Sequence, residues 1–180
     1  MIRPNFKPFP ILLTDRLILR RLTIKDGKEI FSLRSDVAVN KYLDRPIAST
    51  EKDALNFINK ISDGISNNEW IYWAIALRNV GKLVGTICLW NISLENNTAE
   101  IGYELCPEFQ GRGLMKEAVN KVMEFGFQKI GVQTIEAFSH SENKSSTRLL
   151  TKHGFTKQIK ADSSGELIQF IKNNLRQHGR

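Results

Sequence analysis

Six consecutive residues, Gln110-Gly111-Arg112-Gly113-Leu114-Met115, stand between a strand-like run from Glu100 to Leu105 and an amphipathic helical run from Met115 to Phe127. A turn in that place can grip a phosphate. Glycines at 111 and 113 permit left-handed backbone angles, so successive N–H groups can converge on one anion. The start of the helix adds unpaired donors and a partial positive charge, and Arg112 adds a full one. The competing reading is a tight strand-to-helix connection without a ligand. Two other nucleotide patterns, G-x-x-x-x-G-K-[ST] and G-x-G-x-x-G, are absent from this segment.

The strand before the turn carries chemistry of its own. Alternation puts Glu100, Gly102 and Glu104 on one face and Ile101, Tyr103 and Leu105 on the other. A carboxylate inside a central strand is costly to bury unless it is paired or functional, which singles out Glu100. Glu104 also reads as an ion-pair partner, and Tyr103 as either a pocket wall or a core residue. His140, His153 and His178 are widely spaced and do not combine with Cys88 and Cys106 into a metal-ligand pattern, so no metal is expected.

These groups need elements to hold them. Leu13 to Leu22 alternates as a strand, and Lys25 to Ser35 carries a helical apolar stripe. Thr50 caps a helix whose buried side is expected to hold Leu55, Phe57, Ile58 and Ile61. Trp70 to Leu77 and Lys82 to Trp90 form a hairpin across Arg78 to Gly81, and Thr98 to Leu105 is the next strand. Met115, Ala118, Val119, Val122 and Met123 mark the core side of the following helix. Gln133 to Phe138 is a strand, and Ser141 to His153 a helix stopped by Gly154. Phe155 to Lys160 and Glu166 to Lys172 close the chain as a hairpin across Asp162 to Gly165, and Asn173 to Arg180 is a solvated tail. The connection from Thr98 through the helix to Phe138 is long enough for a parallel crossover. The expected fold is α+β, a mixed, mostly antiparallel sheet with helices on both faces, in one domain over residues 1–180 with its core from about 13 to 172.

Composition fits a single compact domain. With 180 residues, 41% of them hydrophobic, the chain can bury roughly two-thirds of its unfolded surface. Its longest apolar runs are far shorter than the ~20 residues that span a bilayer, and Met1 to Phe6 lacks an apolar signal core, so a cytoplasmic protein without membrane attachment is expected. Two cysteines do not make a disulfide framework. The net charge of +7 comes from scattered Lys and Arg. A polyanionic cofactor accounts for that sign, and nucleic acid is not the expected partner.

The turn has the form Q-x-x-G-x-[G/A/M] and resembles the acetyl-CoA loop of the GNAT superfamily of N-acetyltransferases. Four other segments agree in order, from Leu13 to about Ile171. Thr14-Asp15-Arg16-Leu17-Ile18-Leu19-Arg20 is similar to the opening of the RimJ/RimL branch, whose named members acetylate N-termini of ribosomal proteins. Lys82-Leu83-Val84-Gly85-Thr86-Ile87 and Ala99-Glu100-Ile101-Gly102-Tyr103-Glu104-Leu105 are similar to its third and fourth strands. Asn143-Lys144-Ser145-Ser146 through Gly154-Phe155 is similar to its last helix.

The resemblance implies the GNAT acyl-CoA N-acyltransferase fold, acetyl-CoA as cofactor, CoA as product and an amine as acceptor. It assigns the cofactor grip to Gln110, Gly111, Arg112, Gly113, Leu114, Met115 and Lys116. The backbone of Glu104, Leu105 and Cys106 would meet the pantetheine between splayed strands, and Asn143 would be a further contact or simply a helix cap. It makes Glu100 the general base, directly or through water. Many members place Tyr seven residues after the Asn, but Leu150 stands there in this chain, so the usual tyrosine acid is missing. Ser146 is the candidate to bond the sulfur, and its other reading is a small helix residue packed against the cofactor loop. Cys106 has no partner base, so direct transfer in a ternary complex is expected.

A peptide α-amine near pKa 8 needs roughly 1.4 kcal/mol to be neutral at pH 7, against about 4.6 for a lysine amine. That favours a protein N-terminus as acceptor. The alternatives are a small amine, such as an antibiotic or polyamine, and a non-catalytic acetyl-CoA-binding module. Monomer and homodimer are both compatible with the sequence.

Overall fold

In the computed structural model, which describes residues 4–161 and 166–174, the strand expected over Leu13 to Leu22 is divided in two. β1 (Leu12–Leu13) and β2 (Leu17–Arg21) pair antiparallel across a turn in which the Thr14 hydroxyl accepts from Leu17 N–H at 3.0 Å. A hydroxyl that bonds nearby backbone substitutes for ladder bonds, which is why the run breaks at Thr14.

A 3₁₀ turn (Ile24–Asp26) leads into α1 (Gly27–Ser35). An unexpected short helix, α2 (Val37–Asn40), follows because Asp36 caps it, accepting from Val39 N–H at 2.9 Å. α3 (Glu51–Ser66) opens with the reciprocal bonds of a capping box between Thr50 and Asp53. Its buried positions are Ala54, Ile58, Ile61, Gly64 and Ile65. The core stripe is therefore rotated from the expected one. Leu55 is exposed, and Phe57 sits at the edge, beneath Arg34 and against Tyr72.

β3 (Ile71–Leu77), β4 (Leu83–Ser93) and β5 (Thr98–Leu105) run antiparallel. α4 (Leu114–Phe125), continued by a π-type turn over Gly126–Ile130, crosses to β6 (Thr134–His140). α5 (Lys144–Lys152), β7 (Thr156–Ala161) and β8 (Leu167–Asn173) complete the described residues. The final turn expected at Asp162 to Gly165, and the tail beyond Asn174, lie outside them. The sheet order is β1-β2-β3-β4-β5-β6-β8-β7, with only β5 and β6 parallel. The α+β, mostly antiparallel architecture is therefore as expected.

Neighbouring residues of β3 show what covers each face. Trp73 meets Phe125 of α4 edge-on at 5.3 Å between ring centroids, while Tyr72 meets Phe57 of α3 at 5.7 Å. Helices therefore flank both sides of the sheet. The consequential feature lies at its middle. β5 and β6 are paired over three residues only, Thr98 with Thr134, Ala99 with Ile135 and Glu100 with Glu136. Beyond Glu100, β5 stays with β4 as far as Leu105, while β6 stays with β8 as far as His140. The two strands therefore separate toward the turn at residues 110–113.

Candidate active site

The turn is built by local bonds and one distant anchor. A 3₁₀ segment (Pro107–Phe109) ends where Gln110 N–H donates to the Pro107 carbonyl at 3.1 Å. The Gln110 side chain folds back and donates to the Leu105 carbonyl at 2.9 Å, fixing the turn to the end of β5. Gly111 and Gly113 have φ of +73° and +77°, the left-handed region where a side chain is strained. Gly113 is the N-cap of α4 and no side chain caps that helix, so first-turn N–H groups are left for a ligand. From the other end of the chain, Arg16 donates to the Arg112 carbonyl at 3.0 Å and pairs with Glu117, which also accepts from the Thr14 hydroxyl at 2.7 Å. The Arg112 side chain itself leans over the Phe109 ring.

A cavity of about 710 Å³ opens where β5 and β6 part. Gln110, Gly111, Gly113, Leu114, Met115 and Lys116 form one end of it, Glu104 and Leu105 one wall, and Asn143 and Ser146 of α5 another. Ten of the thirteen residues singled out from the sequence are thus brought together around one space. Glu100, Cys106 and Arg112 do not line it. Cys106 N–H donates to the Val84 carbonyl at 2.8 Å and so faces β4. Alternation along β5 then turns the Glu104 backbone to β4 as well, and leaves Leu105 and Tyr103 facing the opening. Burial, then Glu108, pushes the Cys106 thiol up to about 11, so it stays protonated near neutrality.

Around the cavity, polar side chains are paired in two groups. In the first, Glu104 is buried, accepts from Thr86 at 3.0 Å and forms an ion pair with Arg45. Since Thr86 spends its proton on Glu104, it accepts from the Tyr72 phenol at 3.0 Å. Burial, then the Glu104 charge, raises that phenol well above its usual value. Arg45 is held in turn by the Asn40 side-chain carbonyl at 2.7 Å. Thr86 and Tyr72 were invisible as partners in the sequence, because only the register (Tyr72 beside Cys88, Thr86 beside Glu104) brings them to this face.

In the second group, Asn143 caps α5 by accepting from Ser146 N–H at 3.1 Å. The Ser146 hydroxyl bonds the Tyr103 phenol at 3.0 Å. Burial pushes that phenol up to about 12. Leu150 is fully buried in the core, one turn further along α5.

Glu100 lies half-buried below the point of separation. It accepts from the Asn91 side-chain amide at 3.0 Å and sits beside Glu136 in the parallel pair. Burial raises its carboxyl above the ordinary value, Asn91 opposes this and the Glu136 charge adds to it. At the far mouth, Tyr42 stacks against His140 with ring centroids 5.3 Å apart, closing the segment after α2 over the end of β6. Among the described residues, no group of three or more His, Cys, Asp and Glu is placed to hold a metal ion.

A parted parallel pair beside an uncapped, glycine-rich helix start is the arrangement that the resemblance of the sequence implies, and comparison with known sequences agrees. The acetyltransferase (GNAT) domain model matches residues 16–156. This chain belongs to the GNAT family. It is 35% identical over 166 residues to the uncharacterized N-acetyltransferase YoaA of Bacillus subtilis (strain 168), covering 92% of this chain and 90% of that protein. Solved structures share the fold, two of them as follows. One is the ribosomal-protein-S5-alanine acetyltransferase of Vibrio fischeri, with a TM-score of 0.78, 20% identity and coverage of 94% of this chain and 100% of that one. The other is the microcin C7 self immunity acetyltransferase MccE in complex with acetyl-CoA and AMP, with a TM-score of 0.76, 24% identity and coverage of 89% and 94%. As a GNAT acetyltransferase this protein uses acetyl-CoA and an amine acceptor. The cavity suits that cofactor, since it joins the uncapped helix start at one end to the edge of β5 that β6 has left along one side. No helix among the described residues is long and apolar enough to cross a membrane.

Proposed function

We propose that this GNAT enzyme acetylates a protein N-terminal α-amine, of the kind found on ribosomal proteins, by direct transfer within a ternary complex. The observation that carries the reading is the separation of β5 from β6 after Glu100, which leaves one continuous space from the turn at residues 110–113 to the mouth at Tyr42. The fold shared with a ribosomal-protein acetyltransferase, the sequence likeness of Thr14 to Arg20 to that branch, and the modest cost of neutralising an α-amine support the acceptor.

In this reading the first-turn N–H groups of α4 and Lys116 hold the pyrophosphate, and Arg112, which lies outside the cavity over Phe109, adds its charge nearby. The Leu105 N–H, and the backbone of Tyr103 two residues earlier, bond the amides of the pantetheine arm, while the Leu105 carbonyl stays with Gln110. Asn143 serves chiefly by capping α5 and so placing Ser146. Acetyl-CoA brings the activated acetyl group. Glu100 takes the amine proton through water, since its carboxylate lies outside the cavity, and its raised affinity for a proton suits that task. Ser146 donates a hydrogen bond to the departing sulfur. Cys106 forms no covalent intermediate, and most of the rate comes from positioning.

Thermal unfolding with acetyl-CoA, CoA and ATP tests the cofactor. At 100 times its dissociation constant a ligand adds ~2.7 kcal/mol, or about 5–10 °C for a chain of this size. Acetyl-CoA should give that shift and ATP should not. Thiol release is then followed with peptides bearing N-terminal Ala or Ser, with the same peptides blocked at the N-terminus but carrying Lys, and with spermidine. Turnover confined to free N-termini is expected, and turnover confined to spermidine would overturn the acceptor. Acetyl-CoA binding without turnover of any amine would overturn the enzyme reading in favour of a sensor.

A further inference from the structure

The position that carries a tyrosine acid in many relatives holds Leu150, which is completely buried and belongs to the core. A phenol nevertheless reaches the same helix from another direction. Tyr103 stands on β5 in register with Ile87 and Trp73, on the sheet face covered by α4, and its side chain crosses to α5. There its hydroxyl lies 3.0 Å from that of Ser146, and both residues line the cavity. The serine is fixed from a second side, because its N–H is held by Asn143 at 3.1 Å.

Two hydroxyls sharing one hydrogen bond have one proton between them in use and one to spare. The phenol is the more acidic and therefore the better donor. When Tyr103 donates, the Ser146 oxygen is the acceptor, and the serine proton is left to point into the cavity. A hydroxyl that accepts one hydrogen bond is also polarised toward donating another.

We propose that Tyr103 is a positioning residue for the transfer reaction, donating to Ser146 so that the serine hydroxyl is presented to the thioester sulfur. This rests on the acetyltransferase reading above. The pair is an oriented donor and not a proton source. A phenol pushed up to about 12 by burial holds its proton too tightly to hand it to an alkyl thiolate. When the C–N bond forms and the C–S bond breaks, the electron pair leaves on sulfur as thiolate, stabilised by the Ser146 O–H. Solvent protonates it afterwards, and the amine proton departs separately through the base. Tyr103 and Ser146 both keep their protons throughout. In the resting protein the same neutral phenol keeps the arrangement intact across the working pH range.

Three variants test the proposal: Tyr103→Phe, Ser146→Ala and the double variant. Tyr103→Phe retains the ring and its packing, so the acetyl-CoA dissociation constant should stay within twofold while kcat falls about tenfold. Ser146→Ala should fall at least as far. The double variant should match Ser146→Ala, because Tyr103 acts only through the serine. In the unliganded protein, NMR with a Cζ label on tyrosine should show the Tyr103 resonance moving in Ser146→Ala while those of Tyr42 and Tyr72 stay in place. Unchanged kcat in Tyr103→Phe, a double variant whose losses multiply, or an unmoved Tyr103 resonance would each overturn the proposal while leaving the acetyltransferase standing. Absence of turnover in the unmutated protein with every amine tried would overturn both.

Discussion

The Arg16 guanidinium donates to the Arg112 carbonyl at 3.0 Å and pairs with Glu117 in the first turn of α4, so the N-terminal hairpin grips both sides of the turn at residues 110–113. Burial alone would raise the Glu117 carboxyl, but the bonds from Thr14 and Arg16 hold it below the usual value. The pair is half-exposed on the arginine side, and such pairs contribute ~1 kcal/mol or less. Arg16→Ala should therefore weaken acetyl-CoA binding about fivefold, measured by calorimetry, with kcat nearly unchanged. Arg16→Lys should recover little, since an ammonium cannot bond Glu117 and the carbonyl with one planar fork. A variant that lowers kcat and leaves affinity intact would show that the clamp serves something other than cofactor binding at residues 110–113.

This clamp also shows what was legible in the sequence. Thr14 and Arg16 stand out as part of a recognisable opening, but nothing in their spacing says that they touch Glu117, about a hundred residues on. The turn and the strand before it were readable because their requirements are local: glycine where φ is positive, alternation along β5, apolar residues at helical intervals in α4. The Tyr103–Ser146 and Glu104–Arg45 pairs were not, because sheet register and helix docking create them. α2 escaped for a different reason. Val37 and Val39 are poor helix formers, and a single cap at Asp36 holds its one turn together.

The Glu104–Arg45 pair should matter for stability. Glu104 is 8% exposed, and its two oxygens are occupied by Thr86 and Arg45. Removing one partner of a buried pair leaves an uncompensated charge, at a cost of roughly 3–5 kcal/mol. Arg45→Met should lower the melting temperature by about 10 °C. Glu104→Gln, in which an amide replaces the charge, should cost less. Equal losses in the two variants would mean that packing, and not charge, is what the pair supplies.

Glu100 should give activity and stability opposite pH dependences. Burial raises its carboxyl, Asn91 offsets part of this and Glu136 adds to it. Between the ordinary carboxylate pKa and the raised one, the native state keeps a proton that the unfolded chain has lost. Stability therefore falls as pH rises through that window. If Glu100 is the base, kcat/KM rises through the same window, because only the carboxylate accepts a proton. Glu100→Gln should remove the acidic limb of the rate profile, lower kcat and leave the protein slightly more stable above the window. An acidic limb that survives in the variant would assign the proton transfer to another group.

Restoring the tyrosine that many relatives carry should fail in this framework. Leu150 is fully buried in the main core cluster, so Leu150→Tyr adds both volume and a hydroxyl to packed apolar space. Overpacking costs typically 1–3 kcal/mol, and a phenol denied a partner adds to that. The melting temperature should drop by several degrees, and kcat should not rise, because the bond to Ser146 already comes from Tyr103 on β5. The informative combination is Leu150→Tyr in the Tyr103→Phe background. If α5 could present its own phenol to the sulfur, that double variant would regain turnover. Continued low kcat is expected, since Leu150 is fully buried in the core and does not line the cavity, whereas Ser146, one turn earlier, does.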